Sequence, residues 1–335
     1  MRKQWIRLIA VLALFTVSAL ASAENDPLPS WNEGQTKTSI VDFVQRVTDK
    51  NSSDFVPVEA RIVTLDNDGT LWAEQPVYFQ VYYALDRLRE MAPDHPEWKT
   101  TEPFKSALAA DAKGLKATGM EGVTEALLTA HSDISGEAFK ASVSEWLATA
   151  RHPTRNMAYN RMVYQPMLEL LDYLRANGFK TYIVSGGGID FIRAFAEETY
   201  GIPPEQVVGT TSDARYDMQN GVPRIIKTGK MVLVDDKEGK PVGIYRHIGR
   251  RPIMAVGNSD GDLQMLEYTT IPRETGDKTA RLGVLLHHTD AEREWAYDRD
   301  SAIGKFDKGL EEAPGRGWVV IDMKKDWKQV FPDSK

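Results

Sequence analysis

The sequence predicts an α/β fold: a parallel sheet with helices on both faces, interrupted once by an all-α insertion. Three observations predict it. Short apolar runs recur along the chain, and each stops at a polar turn containing Asp, Ser, Asn or Gly. Segments with apolar residues at helical spacing alternate with these runs. From about residue 77 to 150 the alternation lapses, and helical spacing alone remains. Strands that read as near-continuous apolar runs are buried on both faces, as a parallel sheet requires.

Composition bounds the function. The 335 residues carry 41 Lys and Arg against 48 Asp and Glu, with 42% hydrophobic residues and no cysteine. That is enough apolar material for a core. The net charge of −7 argues against a binder held by nucleic-acid phosphates. Without cysteine there is no disulfide scaffold, thiolate zinc site or Cys nucleophile. At the N-terminus, Arg2, Lys3 and Arg7 precede an apolar stretch from Leu8 to Leu20, and Ala21-Ser22-Ala23 forms a small-x-small cleavage site. Residues 1–23 therefore read as an export signal cleaved after Ala23. The apolar run falls short of the roughly 20 residues a span needs, and no later segment is apolar enough to cross a membrane. The expected mature protein is periplasmic or secreted.

The elements follow in order. Ile40, Phe43, Val44 and Val47 stand at helical spacing after an irregular lead-in. Arg61–Leu65 is a short strand that stops at Asp66-Asn67-Asp68-Gly69-Thr70. The helical stretch at 77–154 reads as an insertion, which divides the core into 24–76 and 155–335. Pro166 opens a helix that buries Met167, Leu170, Leu171 and Leu174 and ends at Gly178. Phe179–Val184 is a strand ending at Ser185-Gly186-Gly187-Gly188, followed by a helix from Ile189 to Tyr200. Val207-Val208 forms a short strand, and a hairpin around 224–234 is expected to turn at Thr228-Gly229. Lys240-Pro241 opens a helix, and Ile253–Val256 is a strand ending in the polar turn Gly257–Asp262. Strands at Leu282–Leu286 and Trp318–Ile321 complete the sheet.

In such a sheet ligands bind beyond the carboxyl ends of the strands. Three strands end there in chemistry: Asp66 and Asp68, then Ser185 with its glycines, then Asn258, Asp260 and Asp262. Lys240 precedes the helix feeding the third. Carboxylates alone repel an anion, but with a hard cation such as Mg²⁺ they become a phosphate site.

These residues carry a resemblance. Asp66-Asn67-Asp68-Gly69-Thr70, Ser185, Lys240 and Gly257-Asn258-Ser259-Asp260-Gly261-Asp262 resemble the four ordered motifs of the haloacid dehalogenase superfamily of phosphatases, and Pro166–Gly209 is most similar to its phosphoserine-phosphatase-like branch. The resemblance implies a Rossmann-like core with the helical insertion as a cap. It implies a Mg²⁺-dependent phosphomonoesterase acting on a small phosphorylated metabolite, with no nucleic-acid partner and no membrane association after signal removal. Asp66 would be the nucleophile that forms an aspartyl-phosphate. Asp68 would be the general acid and base. Lys240 would neutralise charge, while Thr70, Ser185 and Gly186 would position the loop and bind phosphoryl oxygens. Mg²⁺ would be held by Asp66, Asp68 through its backbone carbonyl, and Asn258, with Asp260 or Asp262 as compensating carboxylates. The sequence departs from the family here, since the third loop usually supplies Asp where this chain has Asn258.

Other readings stand beside these. Lys237 rivals Lys240 for the cationic role. His287 and His288 end a strand and point to opposite faces, and the expectation is that they lie on the surface. Trp72, Tyr78, Tyr82, Tyr83 and Trp98 are expected to serve as core packing rather than as a cage for a choline-like cation. Arg246, Arg250 and Arg251 read as a solvated helix face. A phosphotransferase or phosphomutase would share the aspartyl-phosphate, and a non-catalytic binder of a phosphorylated ligand is the third class. Phosphoserine, phosphocholine and sugar phosphates all fit as substrates.

Overall fold

The structure is a computed structural model that describes residues 26–333. The export signal expected at residues 1–23 lies outside the described residues. No helix among the described residues is long and apolar enough to cross a membrane.

The first helix, α1 (Gln35–Thr48), buries Ile40, Phe43, Val44 and Val47 against the core. Strand β1 (Ile62–Leu65) follows and is buried along its whole length. A helical stretch comes next: α2 (Phe79–Met91), α3 (Phe104–Leu108), α4 (Ala112–Ala117), α5 (Gly119–Ala130) and α6 (Gly136–Thr149). Part of it has an apolar cluster of its own, in which Ala84, Leu88, Trp98, Phe104, Ala126 and Ala130 meet. Phe139, Val143, Trp146 and Leu147 of α6 instead join the main core.

Helix α7 (Gln165–Ala176) carries Pro166 in its first turn, where a missing N–H costs nothing. It buries Met167, Leu170, Leu171 and Leu174, and the chain leaves it through Gly178 at φ 78°. Truncating one of those leucines to Ala costs about 2–5 kcal/mol at such a site. Strand β2 (Lys180–Gly188) runs on through the three glycines instead of stopping at Val184. The single helix expected over 189–200 is two short ones, α8 (Ile189–Arg193) and α9 (Ala196–Tyr200), with Phe195 at the break out of helical φ (−132°) and Gly201 at φ 66° closing the second.

The hairpin expectation is corrected. The strand at Val207 is long, β3 (Val207–Gln219), and it returns as β4 (Val222–Leu233) through Asn220-Gly221. Both turn residues have positive φ, 53° and 78°, the backbone of the two-residue turn that Asn-Gly favours. Thr228-Gly229 sits inside β4, where the pairing steps from Ser212↔Met231 to Ala214↔Lys227, so it forms a bulge.

Helix α10 (Gly239–Gly243) continues into a wide π turn at Ile244–Ile248. Then come β5 (Met254–Gly257), α11 (Leu263–Thr270), β6 (Leu282–Thr289), the two-residue β7 (Ala296–Tyr297), α12 (Lys308–Arg316), β8 (Val319–Asp322) and α13 (Met323–Asp326). The sheet runs in the order β4-β3-β2-β1-β5-β6-β7, with β8 also beside β6. Strands β3, β2, β1, β5, β6 and β8 pair in parallel, and β4 and β7 are antiparallel additions.

The strand order positions the site. From β1 the chain builds outward through β2 and β3 on one side, then returns to place β5 on the other. The connections above and below diverge at this point, which opens a crevice beyond the carboxyl ends of β1 and β5. Leu65 pairs with Val256, so Asp66 and Gly257 leave the sheet side by side.

Candidate active site

Asp66 is the first residue past β1, and its backbone N–H donates to the Val256 carbonyl at 2.9 Å. Its side chain is buried, as is that of Lys240 on α10. The Lys240 ammonium donates to Asp66 Oδ1 at 2.7 Å and to the Val184 carbonyl at 2.8 Å, and it lies 2.8 Å from Asp262 Oδ1. Those three partners match the three protons of an ammonium. Lys237 is exposed at positive φ, so of the two lysines it is Lys240 that enters the crevice.

The third loop is organised by Asp262. Its Oδ2 accepts from the backbone N–H groups of Asn258 and Ser259, both at 3.0 Å, and closes a capping box with Ser259. Both of its oxygens are therefore engaged, one by the loop and one by Lys240. Asp260 turns away from the crevice, and its Oδ1 accepts from Asp307 N at 3.1 Å and Gly309 N at 3.0 Å, at the start of α12. The buried Asn258 links the first loop to the third: Thr70 Oγ1 donates to Asn258 Oδ1 at 3.1 Å, and Asn258 Nδ2 donates to Glu74 Oε1 at 2.8 Å. The Tyr297 hydroxyl donates to the same Glu74 oxygen at 2.7 Å.

Asp68 receives the indole N–H of Trp72 on Oδ1 at 2.8 Å. Its other oxygen faces the glycine run, because a Cβ built on Gly187 would fall 3.3 Å from Asp68 Oδ2. Ser185 is buried, with its Oγ accepting from Gly187 N at 3.0 Å and its own proton free to donate elsewhere. Gly186 is exposed. Gln80 reaches from α2 to accept from Gly188 N at 2.8 Å, which ties the helical stretch to this edge.

Burial dominates the electrostatics. It drives the Asp66 carboxyl well above its usual range; Lys240 opposes that, while Asp262 and Asp68 add to it. Asp68 is raised by burial against the pull of the Trp72 hydrogen bond and of Lys240. Glu74 is raised well above the usual range by burial and by Asp68 and Asp66, with Tyr297 and Asn258 opposing. For Lys240, burial alone would lower the pKa, but Asp262 and Asp66 outweigh it and the group is held protonated. Two carboxylates, Asp66 and Asp262, contact the one ammonium, and Asp68 and Glu74 add to the negative charge around it, an excess that fits a divalent cation.

The donors that remain are oxygens of Asp66, Glu74, Asn258 and the Asp68 backbone, all hard, which suits Mg²⁺. Among the described residues no three His, Cys, Asp or Glu side chains form a ready-made metal cage. Mg²⁺ does not require one, since it is commonly held by one or two carboxylates with waters and a phosphate oxygen.

Beside Gly186 and Gly188 opens a cavity of about 120 Å³, lined also by Gln80, His131, Asp190 and Lys227. Lys227 on β4 pairs with Asp190, lies 3.3 Å from Ser212 Oγ and sits 5.0 Å from the centre of the Phe139 ring. A wider groove of about 890 Å³, with Ser30, Glu169 and Lys328 in its walls, is lined by none of the four loops.

Several side chains differ from expectation or were missed. His288 is not on the surface: it is buried, with Nε2 2.8 Å from the Gly69 carbonyl and Nδ1 3.2 Å from Glu294 Oε2. His287 points the other way, as strand alternation requires, and is half-buried 3.4 Å from Asp298. Trp98 stacks on Phe104 at 4.6 Å within the helical stretch and Trp72 stacks on Phe195 at 4.6 Å, so both pack as expected, whereas Tyr78 is exposed rather than packed. Arg246 and Arg250 are exposed and Arg251 lies over Tyr268. Glu74, Trp72 as the partner of Asp68, Gln80 and Tyr297 were not legible as site residues. For Glu74 the available signal was an acidic residue in the first loop, closely following an Asp pair, in a chain whose third loop has Asn258.

The chain belongs to the haloacid dehalogenase-like hydrolase family, whose model matches residues 63–267, a stretch containing all four loops. No curated protein matches the sequence. Among solved structures, a conserved protein of unknown function from Anaerococcus prevotii DSM 20548 is 16% identical with a TM-score of 0.51, covering 79% of this chain and 88% of that one. A protein of unknown function from Bordetella pertussis Tohama I is 16% identical with a TM-score of 0.48, covering 78% and 98%. A probable phosphoserine phosphatase from Vibrio cholerae is 16% identical with a TM-score of 0.37, covering 79% and 67%. At these identities the Anaerococcus likeness speaks for the fold alone.

Proposed function

We propose that the protein is a Mg²⁺-dependent phosphomonoesterase that hydrolyses a small phosphorylated metabolite through an aspartyl-phosphate. The observation that carries this reading is the Asp66–Lys240 pair, a buried carboxylate held 2.7 Å from a buried ammonium at the end of β1. A carboxylate kept only as a structural acid gains nothing from so costly a desolvation. A nucleophile that must meet a phosphoryl dianion gains a nearby cation and a fixed aim.

In the first step an Asp66 oxygen attacks phosphorus, the bond from phosphorus to the ester oxygen breaks, and Asp68 gives its proton to the leaving alkoxide. In the second, Asp68 takes a proton from water as the water oxygen attacks phosphorus. The acyl phosphate bond breaks, releasing inorganic phosphate and restoring Asp66. The raised pKa of Asp68 suits the acid role, and the Trp72 hydrogen bond aims it. The Ser185 hydroxyl and the exposed Gly186 amide receive the non-bridging oxygens, and Lys240 balances their charge. Bound Mg²⁺ would supply positive charge opposite the phosphoryl oxygens, held by Asp66, the Asp68 backbone carbonyl and Asn258.

The cavity beside Gly186 supports a compact leaving group, and the helical stretch at 77–154 that walls it is assigned as a cap. The leader at residues 1–23 belongs to the same proposal, as a cleaved export signal; N-terminal sequencing of the protein recovered outside the cytoplasm should then begin at Glu24.

The test is hydrolysis of p-nitrophenyl phosphate by the mature chain, with Mg²⁺ and with EDTA, beside Asp66→Asn. Mg²⁺-dependent release that the variant loses supports the reading. Release that is indifferent to both EDTA and the substitution sinks it. Adding an alcohol acceptor separates hydrolysis from phosphoryl transfer, which would give the phosphorylated alcohol.

A further inference from the structure

We infer that Glu74 supplies the Mg²⁺ site with the negative charge that Asn258 does not bring, the two side chains acting as one split ligand pair. This rests on the metal reading proposed above and concerns this chain's own residues. The third loop provides a neutral amide where a carboxylate would serve a hard cation better. The side chain bonded to that amide is a buried carboxylate from the first loop, with Asn258 Nδ2 to Glu74 Oε1 at 2.8 Å.

The hydrogen bonds fix which way the amide faces. In the ionised form that a bound cation would require, Glu74 accepts and does not donate, so the nitrogen of Asn258 points to Glu74 and its oxygen to the Thr70 hydroxyl. The oxygen is thereby kept on the Asp66–Thr70 side of the loop. On Glu74, two donors converge on Oε1, from Asn258 and from Tyr297 at 2.7 Å. Among the described residues nothing donates to Oε2. One oxygen holds the network together and the other is left as a donor atom.

Space for this carboxylate is built into the backbone. A Cβ on Gly69 would fall 2.3 Å from Glu74 Oε1, and one on Gly304 would fall 2.0 Å from it. Both glycines have positive φ, 74° and 64°, so a side chain at either would be strained in its backbone and would displace the Glu74 carboxylate. Together the two glycines leave room for Oε1 and its two donors, which holds the carboxylate in one place between the loops. The alternative, that Glu74 merely fastens Tyr297 and Asn258, predicts that its charge is dispensable.

That difference is measurable without turnover. Mg²⁺ affinity is read by titration calorimetry on the mature chain for the unaltered protein, for Glu74→Gln, and for Glu74→Gln combined with Asn258→Asp. Gln retains an acceptor for Asn258 and Tyr297 and removes only the charge. The expected result is a loss of about 10–100-fold in affinity for the single variant. The double variant, which exchanges amide and carboxylate across the same hydrogen bond, should return to within about threefold of the unaltered protein. Circular dichroism in EDTA confirms that each chain is folded. Unchanged affinity in Glu74→Gln, or no recovery in the double variant, overturns the role of Glu74 while leaving the proposed hydrolysis intact. Failure of the unaltered protein to bind Mg²⁺ overturns both.

Discussion

Lys240 places its ammonium 2.7 Å from Asp66 across 174 residues of chain, and both groups are buried. The cation enters on α10, beside the sheet, while the carboxylate leaves the end of β1. Their meeting is what the crossover between β1 and β5 achieves, and it concentrates stability and chemistry in one contact.

Removing that cation should therefore be expensive. Lys240→Met leaves Asp66 and Asp262 facing each other without a counter-charge. The expected cost in EDTA is about 3–5 kcal/mol of unfolding free energy, read by urea denaturation. A loss below 1 kcal/mol would mean that the pair is not buried in solution.

Asp68, the proposed acid, should answer to its hydrogen-bond partner. Trp72→Phe keeps the stack on Phe195 but removes the donor to Asp68 Oδ1. A hydrogen bond to the ionised form lowers a carboxyl pKa, so its loss raises that of Asp68 further. Asp68 then stays protonated to higher pH, and the basic limb of the kcat/KM profile should move to higher pH. With the acid less well aimed, kcat should fall by about tenfold. A profile identical to that of the unaltered protein would remove Trp72 from the mechanism.

Asp260 is assigned a structural part. Asp260→Ala deletes the acceptor for two N–H groups at the start of α12, and the cost should be about 1 kcal/mol. Mg²⁺-dependent hydrolysis should be unaffected once the chain is folded. A tenfold loss of Mg²⁺ affinity would return Asp260 to the metal site.

Asp235 sets a pH dependence of stability. It is fully buried, neither oxygen has a hydrogen-bond partner among the described residues, and burial pushes its carboxyl up to about 7 from 3.8. Between those values the folded chain holds a proton that the unfolded chain has released. Stability therefore falls as pH rises through this window, and the loss is complete above 7. Asp235→Asn should raise unfolding free energy at pH 8 on the order of 2–4 kcal/mol, and by clearly less at pH 5. An equal gain at both pH values would show that ionisation is not the cause.

Much of this site was legible because its chemistry is local. Asp66, Asp68, Ser185 and Asn258 each follow an apolar run, and a parallel sheet gathers such strand ends on one edge. Glu74 was not legible because its importance depends on Asn258, which strand pairing alone brings near. His288 was misjudged for a related reason: alternation gave its face, but nothing local revealed the Gly69 carbonyl and Glu294 waiting there. The hairpin turn, by contrast, was present in the sequence. Asn220-Gly221 is the stronger signal for a two-residue turn, whereas Thr228-Gly229 lies between two apolar stretches without the Asn that such a turn favours.

The small cavity has walls from a different source than the reacting groups. Asp66, Asp68 and Ser185 belong to the sheet edge, whereas His131 comes from the helical stretch and Lys227 from the hairpin arm. On the proposed reading, in which this cavity receives the leaving alcohol, replacing a wall residue would change which alcohol fits and leave the attack on phosphorus untouched. Under that reading, point changes in two peripheral segments would be enough to turn the scaffold toward a different phosphorylated substrate.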